Sequence, residues 1–164
     1  MRIAGFYENS CTNGEGWRSV IFVGGCPHKC EGCQNPQTWD YNYGEKVEDV
    51  NFYIEKILKN KKLIDGLTIS GGEPFQERNV EPLLELIKPL KEEGLNIWCY
   101  TGYKYEELLK NSNFKKLLAE IDVLVDGPFV KEEYCPNIKF RGSKNQRVLD
   151  IPKSLQANEI IEIA

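Results

Sequence analysis

Short apolar runs rich in β-branched residues alternate along this chain with longer stretches in which apolar positions recur every three or four residues. The first pattern suits buried strands and the second suits helices with one buried face. Residues 19–23 (SVIFV) predict a strand that runs straight into Gly24-Gly25-Cys26. Residues 48–60 then carry Val50, Tyr53, Ile54, Ile57 and Leu58 on one helical stripe. A strand is expected at 66–70 (GLTIS), ending at Gly71-Gly72, and a second helix at 79–93. Pro82 is tolerable there because it falls in the first turn, whereas Pro89 predicts a kink or an early end. A strand at 95–100, helices around 104–111 and 113–120, and a strand at 122–126 (DVLVD) come next. Two further strand candidates, around 137–141 and 146–151, occupy the tail.

Strand and helix in alternation mean βαβ units, hence a mainly parallel sheet. A closed (β/α)₈ barrel takes about 250 residues, and this chain has 164. The expected fold is therefore α/β, an open, incomplete (β/α) barrel of about five or six mainly parallel strands. No repeat, low-complexity tract or Pro/Gly-rich linker interrupts the pattern, so residues 1–164 are expected to form a single domain. Ligand sites of such sheets lie in the loops after the C-terminal strand ends. The cysteine segment and Gly71-Gly72-Glu73 both follow predicted strands, so both should face one rim.

Composition narrows the chemistry. A net charge of -4 supplies no field for nucleic acid. The densest basic run, Lys59-Asn60-Lys61-Lys62, closes a predicted helix, where cations complement the dipole. No apolar stretch approaches the ~20 residues of a membrane span, and MRIAGFYENSC at the start has no signal-peptide core. A cytoplasmic location without a membrane partner is expected. In a reducing compartment the six cysteines read as metal ligands or catalytic groups rather than disulfides.

Three of them, Cys26, Cys30 and Cys33, stand together in GGCPHKCEGCQN. Structural zinc is closed by four ligands, usually as two pairs. Its fourth ligand here would be His28, Cys11, Cys99 or Cys135. His28 lies two residues from both Cys26 and Cys30 and would struggle to complete one tetrahedron with Cys33. Cys99 sits in an apolar strand pattern, and Cys11 and Cys135 lie in polar loops without a partner at metal-binding spacing. With no second pair, zinc is the weaker reading. A [4Fe–4S] cube needs a thiolate on each iron, so three cysteines leave one iron open to a small molecule.

C-x₃-C-x₂-C just after the first strand of an α/β chain resembles the radical S-adenosylmethionine (SAM) enzymes. The resemblance implies a [4Fe–4S] cluster on Cys26, Cys30 and Cys33 whose open iron chelates the amino and carboxylate groups of SAM. It further implies reductive cleavage of SAM to methionine and a 5′-deoxyadenosyl radical that takes hydrogen from a substrate. At the family's GGE position this chain reads Ser70-Gly71-Gly72-Glu73-Pro74. Paired glycines let a ligand approach the backbone, and the Glu73 carboxylate is able to hold the methionine ammonium by a charge-assisted hydrogen bond. By the same resemblance Gly32, Cys33 and Gln34 lie against the adenine side of SAM.

Thr101 in CYTGY (99–103) and Asp126 in VDGPF (125–129) end two further strands and are expected at the cofactor rim. Related activating enzymes carry a cation-binding aspartate and a SAM-contacting lysine on the equivalent strand; here Gly127-Pro128 leaves no such lysine. NGEGWR (13–18) is similar to the D-G-x-G-x-R lead-in of glycyl-radical activating enzymes, with Asn13 for the aspartate. With the late FRGSKNQR (140–147), the set most resembles the activators of anaerobic (class III) ribonucleotide reductases. That resemblance implies an oxidoreductase-class activase that generates a glycyl radical on the reductase large subunit, supplied with electrons by a small reductant such as flavodoxin or ferredoxin. Another glycyl radical partner such as pyruvate formate-lyase, or a non-catalytic Fe–S or zinc-binding module, are the alternatives. An incomplete barrel leaves one side open, where the partner's glycine-bearing loop is expected to dock, with Arg141 and Arg147 as contacts.

Overall fold

The structure, a computed structural model, describes residues 1–163. In chain order its elements are β1 (Arg2–Ser10), β2 (Arg18–Val23), β3 (Glu45–Lys46), α1 (Asn51–Lys59), β4 (Gly66–Gly71) and α2 (Glu77–Glu92). They continue as β5 (Asn96–Tyr100), α3 (Tyr105–Leu108), α4 (Ser112–Leu118), β6 (Val123–Asp126), β7 (Arg147–Asp150) and α5 (Ile151–Ala157). The strands form one open seven-stranded sheet in the order β3-β1-β2-β4-β5-β6-β7. Only β2, β4, β5 and β6 pair with one another in parallel; β3 with β1, β1 with β2 and β7 with β6 pair antiparallel. The expectation of five or six mainly parallel strands is corrected accordingly.

Side chains alternate across this sheet with period two. Ile21, Val23, Leu67, Ile69, Ile97, Cys99, Leu124 and Leu149 face one side, where they meet buried residues of all five helices. The other side carries Trp98, Val123, Val125 and Val148, with Tyr100 and Phe140 against them, and no helix. The sheet is therefore covered by helices on one face only. On the helix-free face, Arg18 is 1% exposed and reaches across the N-terminal strand ends. It donates from Nε to Thr68 Oγ1 (2.8 Å) and from Nη2 to the Leu67 and Asn96 carbonyls, and stacks over Trp98 at 5.5 Å. Gly14 has φ +116°, and a Cβ there would lie 3.1 Å from the Trp98 ring, so the NGEGWR segment closes tightly on this arginine.

Three local expectations differ from the structure. The helix at 79–93 begins earlier, at Glu77, which puts Pro82 beyond the first turn, and it passes through both prolines without ending at Pro89. The carbonyls they leave unbonded, of Arg78 and Glu85, belong to exposed residues, while the buried stripe Leu83, Leu86, Ile87 and Leu90 holds the helix down. Residues 137–141 form no strand. Phe140 takes a left-handed φ of 68° and spends its ring on Trp98, 4.9 Å away. Strand β1 has no counterpart among the predicted elements, because its Tyr7, Glu8 and Asn9 are exposed and its register against β2 shifts twice.

The one-sided core predicts where stability resides. Leu86→Ala, at a fully buried site, should cost about 2–5 kcal/mol. Leu63→Ala, at a side chain 68% exposed, should stay within about 0.5 kcal/mol. Urea unfolding of the metal-free protein measures both, and equal losses would contradict this core assignment.

Candidate functional site: the C-terminal rim of the sheet

The four parallel strands end on the same edge, and each delivers a motif residue to it. Strand β2 leads to Gly24-Gly25-Cys26, β4 to Gly71-Gly72-Glu73, β5 to Thr101-Gly102 and β6 ends on Asp126. Backbone pairing locks the first two together: Gly72 N donates to the Val23 carbonyl and Glu73 N to the Gly25 carbonyl, each at 2.8 Å. A Cβ on Gly72 would collide with that Gly25 carbonyl, so the close approach of the two turns requires glycine. Gln76, which lies outside the GGEP motif, clamps the junction. Its Nε2 donates to the carbonyls of Gly24 (3.0 Å), Gly25 (3.1 Å) and Glu73 (2.7 Å). Arg78 adds donations to the Gly24 and Tyr41 carbonyls. Neither residue belongs to a sequence pattern that spacing alone would expose.

Glu73 is fully buried and accepts four hydrogen bonds. Oε1 receives His28 Nε2 (2.6 Å) and Gly102 N (2.8 Å); Oε2 receives Thr101 Oγ1 (2.7 Å) and Phe75 N (2.9 Å). A carboxylate offers about four lone-pair positions, so this one is saturated from within. His28, which the sequence offers only as a poor fourth ligand for zinc, is the strut between cysteine segment and GGE segment. Its ring packs edge-on to Tyr103 at 4.5 Å and lies against Gly102, where any Cβ would strike it. With Nε2 committed to Glu73, only Nδ1 of the His28 ring is left without a partner.

Cys26, Cys30 and Cys33 are all free thiols, half-buried on one tight segment. Cys33 N donates to the Cys30 carbonyl (3.1 Å), and positive φ at Lys29 (47°) and Gly32 (79°) curls the chain. Among the described residues no group of three or more His, Cys, Asp or Glu side chains is already drawn together around one point. The donor set nevertheless fits an iron–sulfur cluster: three soft thiols on one curled segment, with no fourth thiol on it. Burial pushes the Cys26 thiol up to about 11, so it keeps its proton at neutral pH until a metal replaces it. Cys99 is fully buried in β5 and its thiol is likewise pushed up by burial, as a core residue's would be.

Gln34, Ser70 and Tyr100 line one cavity of about 340 Å³ on the helix-free face. Gly32 lies apart from it, packed against Phe129 and Lys131. Asp126 is 1% exposed and accepts from Arg147 Nε (3.0 Å), Arg147 Nη2 (2.6 Å) and Tyr105 N (2.7 Å). Arg147 Nη2 also reaches Glu106 at 2.9 Å. The hydrogen bonds that Arg147 donates to Asp126 raise its pKa and hold the guanidinium firmly charged. Both residues are thus engaged with each other rather than presented singly at the rim.

Residues 12–149 match the family of 4Fe-4S single cluster domains, which sets the class. The anaerobic ribonucleoside-triphosphate reductase-activating protein of Haemophilus influenzae is 41% identical over 150 residues, 89% of this chain and 96% of that protein. The Escherichia coli K12 protein of the same name is 38% identical over 151 residues, 87% of this chain and 94% of its own. The one from Enterobacteria phage T4 is 36% identical over 150 residues, 87% and 89%. At that identity and coverage, this chain belongs to the anaerobic ribonucleoside-triphosphate reductase-activating proteins.

The geometry makes Glu73 a structural hub whatever else it binds. Glu73→Ala would strand four donors, each costing about 1–3 kcal/mol if left unpaired. Metal-free Glu73→Ala protein should therefore lose more than about 2 kcal/mol in urea unfolding. Glu73→Gln, which keeps one acceptor oxygen, should recover part of the loss. Unchanged stability would remove Glu73 from this role.

Proposed function

We propose that this protein is a radical SAM activase that generates a glycyl radical on an anaerobic ribonucleotide reductase. The observation that carries the reading is the meeting, on one strand-end rim, of the three-thiol segment and the GGE turn, bound backbone to backbone beside a helix-free sheet face. Family membership supports the class of reaction and the partner.

In this reading Cys26, Cys30 and Cys33 hold the cluster. When bound, that cluster supplies one electron to split the SAM sulfonium, and the adenosyl fragment leaves with a hydrogen atom from the partner's glycine. The chain's own residues hold and shape. Gly71 and Gly72 give the methionine end a bare backbone to approach, held by Gly72 N on the Val23 carbonyl, and the Glu73 carboxylate behind them ties this turn to the loop after β5 through Gly102 N. Because the carboxylate is already saturated, an ammonium reaches it only where one of its donors yields. Gly32, Cys33 and Gln34 take the adenine side, and Asp126 keeps Arg147 at the same rim. The seven-stranded sheet acts as a partial barrel whose missing side is completed by the partner's glycine loop. The electron donor is a small cytoplasmic reductant of the flavodoxin or ferredoxin kind. No described helix is long and apolar enough to cross a membrane.

The test is anaerobic mixing of the reconstituted protein with SAM, dithionite and the reductase, read by electron paramagnetic resonance. A glycyl radical should form. Alanine at Cys26, Cys30 or Cys33 should abolish both reductive SAM cleavage and the radical signal. Cys99→Ala should keep both and lose only packing stability. Full SAM cleavage by a Cys30→Ala protein would end the reading.

A further inference from the structure

The chain's arginines are nearly all spoken for. Arg18 and Arg78 donate to several acceptors, Arg2 reaches the Gly44 carbonyl, and Arg147 is paired with Asp126 and Glu106. Arg141 differs. Its Nη1 donates to the Gln146 carbonyl at 3.2 Å, while its Nε is buried without any acceptor. Among the described residues no carboxylate pairs with it.

Its position gives that unmet donor a meaning. Arg141 lines the cavity of about 340 Å³ on the helix-free face, together with Gln34, Ser70, Tyr100 and Tyr134. No acidic residue lines this cavity, and Arg141 is its only charged residue. The arginine is held there by its neighbours: Phe140 accepts a left-handed φ of 68° with its ring on Trp98, and Gly142 N donates to Gln146 Oε1 at 2.8 Å. A half-buried cation whose one protein acceptor is the Gln146 carbonyl, in a polar cavity free of anions, calls for an anion from outside. A guanidinium takes a carboxylate in paired hydrogen bonds.

We propose that Arg141 is a carboxylate-binding residue of this cavity. The inference rests on the activase reading, which offers two sources of a carboxylate at this place: the α-carboxylate of SAM, or an acidic side chain on the docked segment of the reductase. Arg147, its partner in the late arginine pair, cannot share the task while Asp126 and Glu106 hold it.

The experiment uses cluster-loaded protein and its Arg141→Gln and Arg141→Lys variants under anaerobic conditions. One arm measures SAM affinity by calorimetry without reductase; the other measures reductase affinity by surface binding without SAM. Arg141→Gln should weaken one arm by about ten- to a hundredfold, and Arg141→Lys should restore only part of it, since lysine keeps the charge and lacks the fork. Loss in the SAM arm assigns the carboxylate to the cofactor, and loss in the reductase arm assigns it to the partner. If both arms match the unaltered protein while that protein cleaves SAM and forms the glycyl radical, this inference alone is overturned. An unaltered protein that does neither removes the activase reading and the inference with it.

Discussion

One buried carboxylate organises the rim. Glu73 collects donors from the cysteine segment (His28), from the turn after β5 (Thr101 and Gly102) and from its own turn (Phe75). A carboxylate is costly to bury unless such bonds satisfy it, and here every lone pair is met. The consequence is positional. Three loops that belong to different strands are tied to one point, so the thiol segment and the GGE backbone cannot drift independently. Glycine at 72 and at 102 is the steric condition for this knot, since a side chain at either place would push His28 or the Gly25 carbonyl away.

The knot sits at one end of a sheet whose helices all lie on one face. A closed barrel would protect both faces by wrapping; an open sheet must protect its second face by other means. Two segments do so here. At the N-terminal strand ends NGEGWR folds down over Trp98 with Arg18 beneath it, and near the C-terminal ends Phe140 covers the same Trp98 from the other direction. The cavity lined by Arg141 is the polar gap left between these coverings and the rim.

Much of this was legible in the sequence, for identifiable reasons. The parallel strands at the centre of the sheet are apolar on both faces, and runs such as SVIFV and DVLVD declare that directly. The cysteines and GGEP stood out because metal ligands and bare-backbone turns need particular residue types at short spacing. The flanks were harder. Strand β1 pairs on a half-exposed edge with shifted register, so its alternation is blurred, and residues 137–141 look strand-like only because Phe140 needs an apolar partner. The contacts of His28, Gln76 and Arg78 were invisible for a different reason: each acts through long-range bonds to backbone or to a carboxylate on another segment, and no local pattern records a partner 45 residues away.

Arg18 shows what the open architecture demands at its other end. Burial lowers its pKa to about 10, yet it stays charged at neutral pH without a carboxylate in contact. Instead Thr68 Oγ1 and the carbonyls of Glu15, Leu67 and Asn96 accept its hydrogen bonds. Those acceptors lie on or beside β2, β4 and β5, at the ends opposite the rim. A planar fork with five donors can bridge three strand ends at once, which a lysine's single ammonium cannot. The parallel strands are thereby pinned at both ends by a saturated charge, cationic Arg18 below and anionic Glu73 above. The sheet keeps its shape between the two pins without closing.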